Sequence, residues 1–250
     1  MPNLILVITL IFFMVSTVQN GFGQDKSLSE AKKLFELERY ETSFKILKQL
    51  ESKSEPEVLK ILGDHFNYGL YVEEDINTAL AYYKKAAAQN HIPAILEIGL
   101  LYEEGAFGEE DFLSAYDYFL KARDLGSDVG SYYIAVYFQL GLGIEQDIEK
   151  AIRYYEEAIS RGNESAIIDL GVFFMTGEFI EPDYKKAYNL FKPLADEGVG
   201  DAQLNVGFMF EKGHYVKKDV KKAFNLYEKA YKQGLPGAAQ ALGDLFYYGA

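Results

Sequence analysis

The chain has 250 residues, 49% of them hydrophobic, with 25 Lys and Arg against 38 Asp and Glu for a net charge of −13. The hydrophobic share is ample for a core, and the acidic balance argues against non-specific attachment to nucleic acid or to an anionic membrane. No cysteine occurs, which excludes disulfides and thiolate metal sites.

Leu4 to Val18 is a run of 15 mostly apolar residues, interrupted by Thr9, Ser16 and Thr17. A spanning helix needs about 20 residues, whereas the core of a signal peptide needs roughly 7–15. Gly21-Phe22-Gly23 places small residues where a signal peptidase reads them, so residues 1–23 are expected to be a signal peptide cleaved before Gln24. The stretch before Leu4 has no Lys or Arg, and no cysteine comes after it to carry a lipid. The expectation is export to a periplasm or extracellular space, or to the endoplasmic-reticulum lumen in a eukaryote. An uncleaved segment is the alternative, and the one route to a membrane.

Residues 24–54 come next. Ser27 and Glu30 have capping-box spacing, followed by apolar Ala31, Leu34, Phe35 and Leu37; after Arg39 come Tyr40, Phe44, Leu47 and Leu50. This pattern resembles a degenerate tetratricopeptide hairpin that caps the rest of the chain. Its lysines (Lys32, Lys33, Lys45, Lys48, Lys53) suit the polar outer face of a terminal unit.

Residues 55–250 repeat with a period of 36. Aspartates fall at Asp75, Asp111, Asp147, Asp183 and Asp219, and aromatics at Tyr83, Phe119, Tyr155, Phe191 and Tyr227. Alanines run from Ala79 to Ala223, turn glycines from Gly69 to Gly249, and a further series reads Asn90, Gly126, Gly162, Gly198 and Gly234. A fixed period of this length marks a solenoid of helical hairpins, here five full repeats and a partial sixth. In the copy from Pro182 to Gly213, Asp183 is read as an N-cap at the positive end of a helix over Tyr184 to Glu197. Apolar residues at steps of three and four (Ala187, Leu190, Phe191, Leu194) line one face. Gly198 ends the helix at positive φ, and Asn90, the next-best residue for that conformation, stands in its place in the first repeat.

The following helix is read over Asp201 to Lys212, with Gly213 closing it. A glycine in mid-helix costs roughly 0.5–1 kcal/mol relative to alanine, yet the series reads Gly63, Gly99, Ala135, Gly171, Gly207 and Gly243. The expectation is a neighbouring helix crossing too close for a larger residue. The Ala187 series would face it, and the Phe191 and Phe210 series would fill the space beside it. Pro193 removes a helical bond late in its helix, either as an outer kink or as a local change in curvature. Gly237 to Tyr248 reads as the first helix of a sixth repeat, with Leu242, Leu245 and Phe246 covering the fifth. That helix is either a cap, or part of a longer array, or a surface that meets another chain.

The pattern resembles the Sel1-like repeat, a relative of the tetratricopeptide repeat. Ala94 to Gly126 carries the motif as Ala94, Ile98, Gly99, Tyr102, Gly105, Asp111, Ala115, Phe119, Ala122 and Gly126. The match covers Glu57 to Gly249 and departs at Gly130, Ala135 and Pro193. The resemblance implies an all-α fold, a right-handed α-α superhelical solenoid of Sel1-like, tetratricopeptide-like hairpins. It also implies a scaffold rather than an enzyme. Relatives act in polysaccharide export and in endoplasmic-reticulum quality control, and β-lactamase activity is attributed to cysteine-rich members. The cysteines are absent here, and Ser29-Glu30-Ala31-Lys32 and Ser114-Ala115-Tyr116-Asp117 fail as nucleophile motifs on context or sequence.

No other chemistry stands out. His65, His91 and His214 fall at unrelated repeat positions without a metal-ligand spacing, and the acids near Glu103 and Glu109 lack calcium-loop order. Gly141-Leu142-Gly143 is a repeat turn, not a dinucleotide fingerprint. Neither catalytic, cofactor nor metal residues are expected. Asn163-Glu164-Ser165 is a glycosylation sequon in an inter-repeat turn. Charge is uneven: residues 91–126 hold 8 acids and 2 bases, residues 199–234 hold 4 acids and 7 bases. The lysines at 217, 218, 221 and 222 either dock an acidic partner or form a solvated face.

Binding is expected on the stripe opposite the packed face (Ala94, Ile98, Gly99, Tyr102) of each glycine-bearing helix, which the resemblance places on a concave groove. The stripe reads Ile61, Asp64, Tyr68; Glu97, Leu100, Glu104; Tyr133, Val136, Leu140; Asp169, Val172, Thr176; and Asn205, Phe208, Lys212. Its partner-binding candidates are Glu97, Leu100, Tyr133, Val136, Leu140, Asp169, Val172, Asn205 and Phe208. Apolar residues grouped on an exposed groove point to a protein or peptide partner; packing against the adjacent repeat is the alternative.

Overall fold

The computed structural model describes residues 27–247, all of whose regular structure is helical, with no strand among them. The expected signal segment lies outside the described residues. The chain forms two compact units that meet in sequence between Leu125 and Gly126. The first holds α1 (27–36), α2 (Tyr40–Leu50), a 3₁₀ turn (Glu51–Lys53), α3 (Pro56–Asn67), α4 (Ile76–Ala87), α5 (Ile92–Glu103) and α6 (Phe112–Asp124). The second holds α7 (Asp128–Leu140), α8 (Ile148–Ser160), α9 (Glu164–Thr176), α10 (Tyr184–Glu197), α11 (Gly200–Lys212), α12 (Val220–Lys232) and α13 (Pro236–Tyr247). Within each, consecutive helices pack as hairpins.

The aspartate series explains where the even-numbered helices from α4 onward begin. Asp75, Asp111, Asp147, Asp183 and Asp219 each accept a side-chain bond from the backbone N–H three residues on. Their own N–H groups donate back to the carbonyls of Phe66, Tyr102, Phe138, Phe174 and Phe210 at 2.7–2.9 Å. One residue therefore starts a helix and ties it to the helix before. Asn90 adopts φ 60° and Gly198 φ 103°, so the left-handed turn expected at that series is present. α10 runs unbroken through Pro193.

The small-residue series has a different cause from the one expected. A Cβ at Gly99 would lie 2.7 Å from Phe119 Cε1, and one at Gly207 would lie 2.6 Å from Tyr227 Cε1. Gly63 and Gly171 sit as closely under the rings of Tyr83 and Phe191. What each glycine admits is thus the aromatic ring of the next helix, not helix backbone or the alanine series. The rings are buried completely or nearly so, from 0% exposure at Tyr83 to 2% at Tyr155. Each contributes on the order of 1.5–3 kcal/mol by burial, more than the mid-helix glycine costs. Ala135 takes the glycine's place in the third repeat and packs in the same cluster as Tyr155. Gly243 has nothing within 4 Å of its Cβ position.

The first unit's core begins at Ala31, Leu47 and Leu50 and runs into α3 to α6. His65 lies at its edge, fully buried, with Phe35, Tyr40 and Phe44 edge-on at 5.3, 6.1 and 5.1 Å. At the end of the second unit Leu245 is buried as expected, but Phe246 is 76% exposed and meets the Phe224 ring edge-on.

Candidate functional site

In the second unit the stripe residues of α7, α9 and α11 are half-buried, apart from exposed Leu140, Thr176 and Lys212. Four of the expected residues line one cavity of about 280 Å³: Val136 and Leu140 from α7, and Asp169 and Val172 from α9, with Tyr132 and Glu178 beside them. Asn205 and Phe208 of α11 line a second, of about 490 Å³, floored by Leu204, Ala241 and Leu245 and edged by Asp244. Tyr133 is in neither lining; its ring stands edge-on to Tyr132 at 5.6 Å. α9 borders both cavities, giving Val172 to one and Met175 to the other.

Sequence reasoning missed the side chains that brace these cavities. Tyr155 donates to Gln139 Oε1 at 2.6 Å and Tyr227 to Glu211 Oε2 at 2.8 Å, each reaching 16 residues back. Where the ring is Phe191, that position holds apolar Met175. Where it is Phe119 the position holds Glu103, and Tyr83 bonds Asp64 nineteen residues back, so the repeat alone does not signal the pairing. Tyr132 donates to Asp169 Oδ2 at 2.7 Å, and burial followed by this bond pushes its hydroxyl well above the usual phenol range. The α13 lining residues, Gln240, Ala241 and Asp244, were missed because that helix was weighed as a cap, as part of a longer array or as a surface for another chain, and not as the wall of a cavity.

In the first unit the stripe is different. Ile61 and Asp64, expected on the open face, are 6% and 4% exposed. Lys60 reaches between two stripe acids, at 2.9 Å from Asp64 and 3.2 Å from Glu97, while Tyr83 donates to Asp64 at 2.8 Å. Glu97 is therefore engaged within the unit. Burial raises the carboxyls of Asp64 and Glu97 despite Lys60. Burial also lowers the lysine, but its two acids outweigh that and hold it high. Leu100 is half-buried and Tyr68 is 58% exposed. A further cavity of about 300 Å³ lies against Lys60, Ile61 and Asp64, and its Lys32 is paired with Glu57 at 2.5 Å, which occupies the lysine of the Ser29-x-x-Lys32 motif.

The histidines serve the fold. His91 caps α5 at Ala94 N and meets Glu57 at 3.0 Å; His214 stacks on Tyr184 at 4.0 Å. His65 Nδ1 lies 2.6 Å from the Leu70 carbonyl, and its Nε2 has no partner. Burial lowers its pKa. Among the described residues no group of three or more His, Asp or Glu is placed to hold a metal, and no helix is long and apolar enough to cross a membrane. Asn163 of the sequon is 8% exposed, accepts the Ala166 N–H at the start of α9 and donates Nδ2 to Asp128, so a glycan on Nδ2 would compete with the bond to Asp128. Of the lysine face, Lys222 pairs with Asp219 at 3.6 Å and covers the Phe210 ring.

A family model described as Sel1 repeat matches residues 13–37, 59–91, 92–127, 129–163, 165–199 and 200–235. The chain is similar to a Sel1 repeat protein from Oxalobacter formigenes, at 24% identity and TM-score 0.76 over 89% of each chain. It is also similar to a protective antigen of uropathogenic Escherichia coli with an SLR fold, at 28% identity and TM-score 0.72. That alignment covers 83% of this chain and 44% of the longer antigen. An immunity protein from Pseudomonas aeruginosa shares the fold at 17% identity and TM-score 0.52, over 88% and 82%. No curated protein matches the chain.

Proposed function

The chain belongs to the Sel1 repeat family, and from that premise we propose that it is an exported, non-catalytic scaffold holding a protein or peptide partner on the α7–α9–α11 stripe. The observation that carries this reading is the pair of open cavities at the stripe. Apolar side chains line them (Val136, Leu140, Val172, Phe208) with a few polar groups at the edge, the composition of a peptide-binding groove. Leu140 at 52% exposure is a large apolar side chain with no covering partner of its own chain sufficient to bury it. Export rests on the apolar run from Leu4 to Val18 and the small residues at Gly21 and Gly23.

The test of the groove is Leu140→Ala with Phe208→Ala, used as bait in cross-linking capture from an envelope extract. The expected result is loss of the captured partner by about 30-fold or more, as for truncation of central interface residues, with the helical circular-dichroism signal unchanged. Equal capture by variant and wild type overturns the groove. For export, N-terminal sequencing of the mature chain is expected to begin at Gln24; recovery of Met1 in the cytoplasmic fraction overturns it.

A further inference from the structure

The two units treat the same repeat positions in opposite ways. In the first unit, Lys60 fits between Asp64 and Glu97. Counting forward by 36, the Asp64 position reads Leu100, Val136, Val172, Phe208 and Asp244, and the Glu97 position reads Tyr133, Asp169, Asn205 and Ala241. Carboxylates therefore return in the second unit at Asp169 and Asp244. The Lys60 position does not return as a cation: it reads Leu96, Tyr132, Ile168, Leu204 and Gln240.

The consequence is visible in the cavities. The smaller holds Asp169 and Glu178 and no base; the larger holds Glu211 and Asp244 against Lys212. Lys212 is already paired with Glu211 at 2.5 Å. Asp169 receives the Tyr132 hydroxyl, and among the described residues no ion pair is formed by Asp169, Glu178 or Asp244. Each cavity thus combines an apolar floor with net negative charge, and in each the acid holds a repeat position that Lys60 neutralises in the first unit.

We propose that the second unit's cavities take a cationic, apolar peptide, whose Lys or Arg side chains meet Asp169 and Asp244 as Lys60 meets its two acids, while aliphatic or aromatic side chains cover Val136, Val172 and Phe208. This rests on the reading of the stripe as a peptide groove and adds the chemistry of its occupant. The stem of a lysine or arginine covers apolar surface while its head reaches a carboxylate, so one kind of side chain satisfies both features of each cavity. Charge complementarity also sets on-rate and partner choice at such a surface.

The test is selection from a random-peptide phage library on the full chain, followed by anisotropy titration of the enriched peptides. Three proteins are titrated: wild type, Asp169→Asn with Asp244→Asn, and Leu140→Ala with Phe208→Ala. Asn keeps the acceptor for Tyr132, so the fold is retained, as circular dichroism checks. The expected result is peptides rich in Lys or Arg alternating with apolar residues, weakened about tenfold by the two Asn substitutions, weakened by the Ala pair, and weakened further by added salt. Peptides that need Leu140 and Phe208 but are acidic or neutral, and indifferent to the Asn pair, overturn the cationic partner and leave the groove standing. Cationic peptides indifferent to both variant pairs bind the acidic surface elsewhere and overturn the inference. No peptide dependent on Leu140 and Phe208 overturns both the inference and the groove.

Discussion

A methyl group added at Gly243 should stabilise its helix and one added at Gly99 should not, although both glycines sit inside helices of the same repeat position. At Gly99 the new Cβ would lie 2.7 Å from Phe119 Cε1, 3.0 Å from Cδ1 and 3.1 Å from Cζ. Carbon atoms prefer about 3.5–4.0 Å, so the ring must move by roughly half an ångström to one ångström, and Phe119 is fully buried. Overpacking of this kind costs about 1–3 kcal/mol. The helix gains about 0.8–1 kcal/mol when glycine becomes alanine, so Gly99→Ala is expected to be neutral to destabilising by about 2 kcal/mol. At Gly243 nothing stands within 4 Å, and the same propensity gain is expected without the clash. The backbone contribution cancels in the comparison, leaving the ring contact alone. Hydrogen exchange of α5 amides in Gly99→Ala and of α13 amides in Gly243→Ala, each relative to wild type, should diverge by about 5- to 150-fold in protection, the equivalent of 1–3 kcal/mol. Phe119→Leu should partly relieve Gly99→Ala in a double-mutant cycle. An equal gain of protection in both helices would refute the ring as the cause of the glycine series.

Two further outcomes concern the first unit. His65 is held neutral by burial, below its ordinary 6.5, so as pH falls the unfolded chain takes up a proton before the folded one does. Stability is therefore full above the unfolded pKa and declines as pH drops from there toward the depressed folded value; urea titration of wild type against His65→Phe should show that slope vanish in the variant. Lys60→Met should cost about 3 kcal/mol at neutral pH, because it leaves the buried Asp64 and the half-buried Glu97 without their cation. Asp64 and Glu97 already lie above the ordinary carboxylate range. Acidification through their raised pKa values protonates them in the folded state first, so the loss should shrink as pH falls toward that range. A loss independent of pH would mean that Lys60 acts through packing alone.

Kinship is firmer for the fold than for the partner. Six family matches and a TM-score of 0.76 to a solved Sel1 repeat protein establish the hairpin architecture. The stripe residues do not act alike: Val136, Leu140, Asp169, Val172, Asn205 and Phe208 line cavities of the second unit, Ile61 and Asp64 line one beside Lys60 in the first, and Glu97 is bound by Lys60. A repeat period places residues at equivalent positions, but it does not say whether the neighbour across the groove is a lysine or a leucine.

Whatever is settled within a few residues of the backbone was legible in the amino-acid order. The Asp147 cap acts on the N–H three residues on, and Asn90 at φ 60° is a matter of its own backbone. Helix boundaries come from such local chemistry, and the helix expected over Tyr184 to Glu197 has those same ends in the fold. Tertiary structure alone decided what each side chain meets across a helix interface: a ring over Gly99, a lysine between Asp64 and Glu97, and a tyrosine hydroxyl on Asp169. The first kind of contact is set by bond geometry and short range, and the second by how neighbouring helices pack, which a periodic sequence constrains to a face but not to a partner.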